Sequence, residues 1–313
     1  LTNRCNLNCD FCFANARACG YIYEPTFDQI VDMMKLLRNE MPVPAPAVQF
    51  SGGEPTMRED LPLIIRTAKE LGFPQVQVAT NGIKIAQDPS YLEELREAGL
   101  STLYLHFDGV SRETNPKLAS DSKVVKYSEE KKVGIVLVPT VIKGRNDHEV
   151  GAIIRFAADH IRAVRGVNFQ PIAFTGAACE EDVQRERITI PELLGDIEDQ
   201  TNGVIKKADF YPVPCVVPFS DFVEAYTGKP QIRFTAHQHC GAATYVFVND
   251  DGLTPVNRMV DVESLMHALS ETAGKLRRGG TFNKYKALIE AIGEMNDSFK
   301  KSEHGSSSEF WKL

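Results

Sequence analysis

The sequence predicts an α/β fold built from repeated strand and helix units around a parallel sheet, and three observations lead there. Short β-branched runs alternate with amphipathic stretches at intervals of roughly thirty residues, leaving room for six such units before about residue 175. Polar residues collect just past the carboxyl end of each strand candidate, where parallel sheets and barrels carry their ligands. From Ala173 onward the rhythm stops, which separates a core at residues 1–175 from an appended α+β region at 176–313.

In order, Leu1 to Arg4 look like the end of a strand rather than its beginning, so the natural terminus is expected upstream, with any targeting segment or further metal module. Phe27 to Met41 reads as a helix capped by Thr26 or Asp28, stopped by the prolines at 42–46. Strands follow at Ala47 to Phe50, Val76 to Ala79, Thr102 to Phe107, Gly134 to Val141 and Val167 to Ile172. Between them lie helices at Asp60 to Leu71, Tyr91 to Ala98, Lys123 to Lys132 and His148 to His160. Beyond the core the pattern gives a helix at Thr189 to Asp199, a strand at Ala242 to Asn249 and a basic turn within Lys275 to Lys286. An amphipathic helix at Lys284 to Phe299 and a polar tail at Lys300 to Ser308 end the chain.

The chemistry concentrates in Cys5-Asn6-Leu7-Asn8-Cys9-Asp10-Phe11-Cys12, where three thiols stand four and then three positions apart. A loop rich in Asn and Asp can curl so that such thiols share one metal centre. Zinc would normally take a fourth Cys or His close by, and no His follows for several dozen residues. An iron–sulfur cube can be held by three thiolates with one iron left open.

Composition narrows the rest. Lys and Arg number 35 against 42 Asp and Glu, a net charge of -7, so the chain lacks the basic surface that nucleic acid requires. Seven cysteines in 313 residues, three of them in one cluster, favour metal in a reducing compartment over a disulfide scaffold. No apolar run approaches membrane-spanning length.

Cys5, Cys9, Phe11 and Cys12 spell C-x3-C-x-aromatic-C, and Ser51-Gly52-Gly53-Glu54-Pro55 follows after one helix and one strand. In both features the chain resembles the radical S-adenosylmethionine (SAM) enzymes. The resemblance implies a partial (β/α)6 barrel of the TIM type over a little over half of the chain. It also implies a [4Fe–4S] cluster on the catalytic Cys5, Cys9 and Cys12, whose open iron is chelated by SAM. Reductive cleavage of SAM then yields a 5′-deoxyadenosyl radical that abstracts hydrogen from unactivated carbon. An external electron donor such as ferredoxin or flavodoxin and a cytoplasmic setting go with it.

In family terms Gly52 to Glu54 contact the SAM amino group and Phe11 lies beside the adenine, while a strand-to-helix turn and a core aromatic are the structural alternatives. Other cofactor-binding candidates are Thr80, Asn81, Asp108, Thr140, Lys143, Asn168 and Gln170. Thr80 and Asn81 suit an Asx-type turn equally, His106 suits a satisfied core position, and Lys143 with Asn146 suits either SAM or the cap of the next helix. Cys215 and Cys240 sit in segments too irregular for helix interiors. With Cys179 and Cys19 they offer ligands for a second [4Fe–4S] cluster, against the reading of scattered buried thiols.

Longer segments resemble one group more closely. These are Phe13 to Ala16, Gly20 to Pro25, Val138 to Gly144 with Asn146 and Asp147, Val167 to Pro171, and His239 to Thr244. They look like the archaeal tetraether lipid synthases, which join terminal methyl carbons of isoprenoid lipid tails and carry auxiliary clusters and an upstream rubredoxin-like iron site. That likeness implies a lipid substrate, biphytanyl-forming C–C coupling and contact with a membrane surface. The same segments match relatives proposed as radical methyltransferases acting on pterins, which would take a small molecule instead. A lipid enzyme should present a long apolar tunnel and a pterin enzyme a small polar pocket. A non-catalytic iron–sulfur electron-transfer module is the third alternative.

Overall fold

Alternation along each strand decides how the sheet is covered. The computed structural model describes residues 1–16, 20–178, 180–250 and 252–278. They belong to two compact units, Leu1–Asp196 and Ile197–Leu313, so the division falls beyond residue 175.

The first unit contains α1 (Phe27–Arg38), β1 (Ala47–Phe50), α2 (Leu61–Glu70), β2 (Gln75–Thr80), α3 (Ile83–Gln87), α4 (Pro89–Ala98), β3 (Thr102–His106) and α5 (Leu118–Lys131). It continues with β4 (Gly134–Val138), β5 (Thr140–Val141), α6 (Val150–Asp159), β6 (Val164–Val167), β7 (Gln170–Pro171), α7 (Val183–Glu186) and the start of α8 (Ile190–Gln200). Five strands form one parallel sheet in the order β1-β2-β3-β4-β6, and β5 pairs with β7 just beyond its rim. The order never doubles back, so right-handed crossovers put the helices between successive strands on the same face.

Burial agrees with that winding. Val76, Val78, Leu103, Leu105, Ile135 and Leu137 are fully buried and join residues of α1, α2, α4, α5 and α6 in one core. The residues between them, Gln75, Gln77, Tyr104, Val136 and Val138, are only partly buried. A parallel sheet covered on both sides reads as a continuous apolar run, whereas a period of two marks one packed face and one open face. The open face is the concave side that a partial barrel would present.

Several expectations are corrected. Leu1 to Arg4 form no strand. Instead, the Leu1 amino group donates to the Ser51 carbonyl at 2.5 Å, and the Gly53 and Glu54 amides donate to the carbonyls of Thr2 and Arg4 at 2.6 and 2.7 Å. The segment adds no sixth strand, so among the described residues the main sheet has five paired strands where six units were expected, and no pairing joins β1 to β6. The expected strand at Val167 to Ile172 is β6 followed by β7, interrupted at Asn168 and Phe169. α5 begins at Leu118 rather than Lys123, and α3 was not foreseen.

The second unit holds β8 (Tyr211–Pro212), α9 (Val217–Thr227), β9 (Ala242–Ala243), β10 (Val246–Asn249), β11 (Gly252–Pro255) and α10 (Val262–Arg278). α9 packs along α10, while β8 with β9 and β10 with β11 form antiparallel pairs. A buried carboxylate at Asp209 accepts hydrogen bonds from Asn257, Arg258 and the Lys206 amide and ties these pieces together. Asp261 caps α10 by accepting from the Ser264 amide, and Lys275, Arg277 and Arg278 lie in its last turn, where cations meet the negative end of the helix dipole. The basic turn read from sequence is therefore a helix end. The helix and tail expected from Lys284 onward lie outside the described residues.

Candidate functional site

The Cys5 to Cys12 stretch takes no regular secondary structure. Local bonds close it: the Leu7 amide donates to Cys5 Sγ at 3.4 Å, the Cys12 amide to the Cys9 carbonyl at 3.3 Å, and the Asn15 amide to the Cys12 carbonyl at 3.1 Å. None of the three thiols is in a disulfide, and all are partly buried.

Four elements of the first unit then hold this loop at the carboxyl rim of the sheet. At the end of β2 the Asn81 amide donates to Asn6 Oδ1 at 2.7 Å. Past β5, Arg145 donates to Asp10 Oδ2 at 2.6 Å with one nitrogen and to both Glu186 oxygens at 3.0 and 3.1 Å with the other. Past β7 the Ala177 amide donates to the Cys12 carbonyl at 2.9 Å. Gly176, at φ +69°, makes that approach: a Cβ there would stand 2.4 Å from the Cys12 oxygen. At the end of β3 the His106 ring lies 6.0 Å from that of Phe11.

The Ser51 to Glu54 element works on the same loop from behind. A Cβ on Gly52 would come within 2.4 Å of the Thr2 oxygen, and one on Gly53 within 2.3 Å of the Arg4 oxygen. These two glycines admit the backbone that leads into Cys5. Glu54 is 1 % exposed, and its carboxylate is filled by protein donors: Oε1 accepts from the Thr56 amide, Thr56 Oγ1 and Thr80 Oγ1, and Oε2 from the Asn81 amide at 2.7 Å. A ligand at this element would therefore meet backbone groups rather than the Glu54 side chain. Thr80 and Asn81 also make the turn anticipated for them, with the Gly82 amide on Thr80 Oγ1 and the Ile83 amide on Asn81 Oδ1.

On the open face, His106 Nε2 donates to Asp108 Oδ2 at 2.7 Å, and Asp108 Oδ1 accepts from the Thr140 amide. The Asn168 amide donates to the Tyr104 hydroxyl at 3.3 Å. Ser51 and Gln170 are exposed at the rim. Lys143 turns to Glu192 at 3.1 Å, half exposed, and Asn146 spends its amide on the carbonyls of Asp108 and Thr140. Both side chains are engaged within the protein.

Burial pushes the Cys9 thiol up to about 11, and negative charge at Asp108, Cys12, Cys5 and Asp10 adds to the effect. Iron must displace that proton, because the thiolate is the ligand. Among the described residues no group of three His, Cys, Asp or Glu side chains is set to hold a single metal ion. In a cube each thiolate bonds its own iron, so the sulfurs need not converge on one point. Three thiols outside any disulfide on one anchored loop at the rim fit that donor set.

In the second unit the β8–β9 ladder runs on into a bond from the Val213 amide to the Gly241 carbonyl, which carries Cys215 and Cys240 toward the same end of the pair. Burial raises the Cys215 thiol, while Cys240 is exposed. Cys19 and Cys179 lie outside the described residues.

Sequence reasoning did not single out Arg145, Asn6, Tyr104 or Gly176. Arg145 had a signal, a cation between Gly144 at φ +75° and Asn146 in the polar segment after a strand. Asn6 had none, since its partner is 75 residues away.

The radical SAM superfamily model matches residues 1–157. A 7,8-dihydro-6-hydroxymethylpterin dimethyltransferase of Methanocaldococcus jannaschii is 50% identical over 281 residues, 87% of this chain and 55% of that protein. A GTP 3′,8-cyclase of Clostridium acetobutylicum is 30% identical over 202 residues, 62% of this chain and 61% of the relative, and an Fe-coproporphyrin III synthase of Methanosarcina barkeri is 38% identical over 117 residues, 37% of this chain and 28% of the relative. The chain thus spans little more than half the length of the first two of these relatives. With half of its length under the family model, this chain belongs to the radical SAM superfamily, enzymes that work with a [4Fe–4S] cluster and SAM.

Proposed function

We propose that this chain is the radical-generating part of an enzyme that adds methyl groups to a dihydropterin. One observation carries the proposal, the 50% identity to the pterin dimethyltransferase over 87% of the chain. The segments that resemble tetraether lipid synthases match pterin methyltransferases as well, so lipid C–C coupling at a membrane surface gives way to the small-molecule alternative. The open face supports this choice: Tyr104, His106, Asp108 and Asn168 offer hydrogen bonds where a lipid tunnel would be apolar. No helix among the described residues is long and apolar enough to cross a membrane.

Cys5, Cys9 and Cys12 would hold the cluster, which, with SAM on its open iron and an electron from an external donor of the ferredoxin or flavodoxin type, supplies hydrogen abstraction from an unreactive C–H bond. The rest is positioning by the protein. Asn81 and Arg145 fix the loop against two strand ends, backbone at Gly52 and Gly53 lines its base, and the pair His106 and Asp108 orients a polar group on the open face. Cys215 and Cys240 are proposed ligands of a second [4Fe–4S] cluster.

The test uses full-length protein, reconstituted without oxygen and supplied with dithionite, SAM and 6-hydroxymethyl-7,8-dihydropterin. Mass spectrometry should show a pterin heavier by one or two methylene units, and label in the SAM methyl group tells whether SAM is also the methyl donor. Coupled lipid chains from lipid extract, with the pterin unchanged, would return the lipid alternative to first place.

A further inference from the structure

We propose that the open face of the sheet, through Gln77, Tyr104 and Asn168, recognises an uncharged, flat heterocycle by its amide-like edge and makes no provision for a phosphorylated one. The proposal rests on the pterin function above and names what that site reads.

Register places the three side chains. Tyr104 stands level with Ala79 on one side and Val136 on the other, and Val136 is level with Gly166. A Cβ built on Gly166 would meet nothing within 4 Å, so the face is open in front of β6, where Tyr104 and Asn168 meet across it. Gln77 lies two residues toward the amino ends, level with Thr102. Tyr104 is two residues short of His106, roughly 7 Å below the rim at the rise of a strand. The group therefore lies deeper than the loop that holds the cluster.

Its hydrogen-bonding capacity is largely unspent. Asn168 uses one N–H on the Tyr104 oxygen, which leaves its carbonyl, its second N–H and the phenol proton for a ligand. Gln75 spends its amide on Thr102, while that of Gln77 donates to no other described residue. Adjacent donors and acceptors on planar amides match the lactam and amidine edge of a pterin or guanine ring.

Charge completes the case. Among the described residues, the strands of this sheet carry one cation on the open face, Arg165 of β6, which lies beside Gly134 at the amino ends and donates to the Ile161 carbonyl at 3.4 Å, while the carboxylate on that side, Asp108, repels an anion. Phosphate sites are built from cations, bidentate Arg above all, or from helix N-termini. The two cations after β5 are committed, Lys143 to Glu192 and Arg145 to Asp10 and Glu186. The ring-reading part of this face would suit guanine too, so the phosphates separate this site from that of an enzyme acting on GTP, the substrate in the name of one relative.

The experiment measures equilibrium binding to the oxygen-protected, cluster-loaded full-length protein. Its probes are 6-hydroxymethyl-7,8-dihydropterin, the phosphate ester of that pterin, guanosine, GTP and SAM. Gln77→Ala and Asn168→Ala should each weaken the pterin about tenfold or more, the cost of one hydrogen bond to an unsatisfied partner, with SAM affinity held within about twofold. The ester should bind no tighter than the free pterin. Variants that leave pterin affinity within about twofold, or an ester about tenfold tighter, overturn the inference while the pterin function stands. Loss of SAM affinity in Asn168→Ala also overturns it, since that residue would then serve the cofactor. Should wild-type protein bind no pterin, the function above falls, and guanosine against GTP decides here: equal binding supports an uncharged edge, while tighter GTP or no binding of either overturns it. If an alanine variant fails to take up iron, Gln77→Glu and Asn168→Asp keep the shape, and the same weakening is expected from them.

Discussion

The two faces of one sheet follow opposite rules. Val78, Leu103, Leu105 and Leu137 point to the helices and are fully buried, whereas Gln77, Tyr104 and His106, each one position along from such a residue, point the other way and stay partly exposed. The first set is sealed by apolar area, worth about 1.5–3 kcal/mol for each large side chain. The second set forgoes that gain and keeps polar groups available. Stability and chemistry are thus separated by a single step along the strand.

The largest effect that tests this contrast is on the packed face. Leu105→Ala should lower unfolding stability by about 2–5 kcal/mol, because the helix core cannot collapse around the cavity, whereas Tyr104→Phe next to it should stay within about 0.5 kcal/mol. Urea midpoints of the two variants measure the difference, and equal losses would break the contrast. Next comes the point where the two faces meet at the rim. Glu54→Ala strands two threonine hydroxyls and two amides in the interior, so a loss of about 2–3 kcal/mol is expected, together with lower iron uptake as Asn81 and the Cys loop lose their fixed position.

The smallest effect on stability belongs to Arg145. Its side chain is 41% exposed, so Arg145→Gln should cost less than about 1 kcal/mol at neutral pH while broadening the electron paramagnetic resonance signal of the SAM-bound cluster. Burial works to raise the Glu186 carboxyl, yet hydrogen bonds from Arg145 and Arg185 outweigh it and hold the group below its ordinary value. A depressed carboxyl contributes stability above its unfolded pKa and loses it as pH falls through the folded one. Wild type should therefore lose more stability than Arg145→Gln on acidification below the ordinary carboxylate range, and parallel curves would remove Arg145 as the clamp.

Period told most of the first unit in advance. β1 runs from Ala47 to Phe50 as expected, and α1, α2, α4 and α6 lie where apolar residues recur at helical spacing. α3 escaped because five residues after Gly82 give no period to read, and the break at Asn168 and Phe169 escaped because Val167, Phe169 and Pro171 alternate with Asn168 and Gln170 as in one strand. In α10 the signal was present, with Leu265, Leu269, Ala273 and Leu276 at spacings of three and four behind Asp261, but its closing cations read as a separate turn. The cysteine loop was legible because its ligands are local. Its clamps, Asn81 on Asn6 and Arg145 on Asp10, span 75 and 135 residues, and no local pattern reports such pairs.

Everything functional depends on the rim loop holding a cluster that opens SAM. The direct measurement is 5′-deoxyadenosine released by the reduced, reconstituted full-length protein. Release that requires dithionite and disappears in Cys5→Ala is expected. Full iron loading and bound SAM with no 5′-deoxyadenosine, or undiminished release from Cys5→Ala, would contradict it.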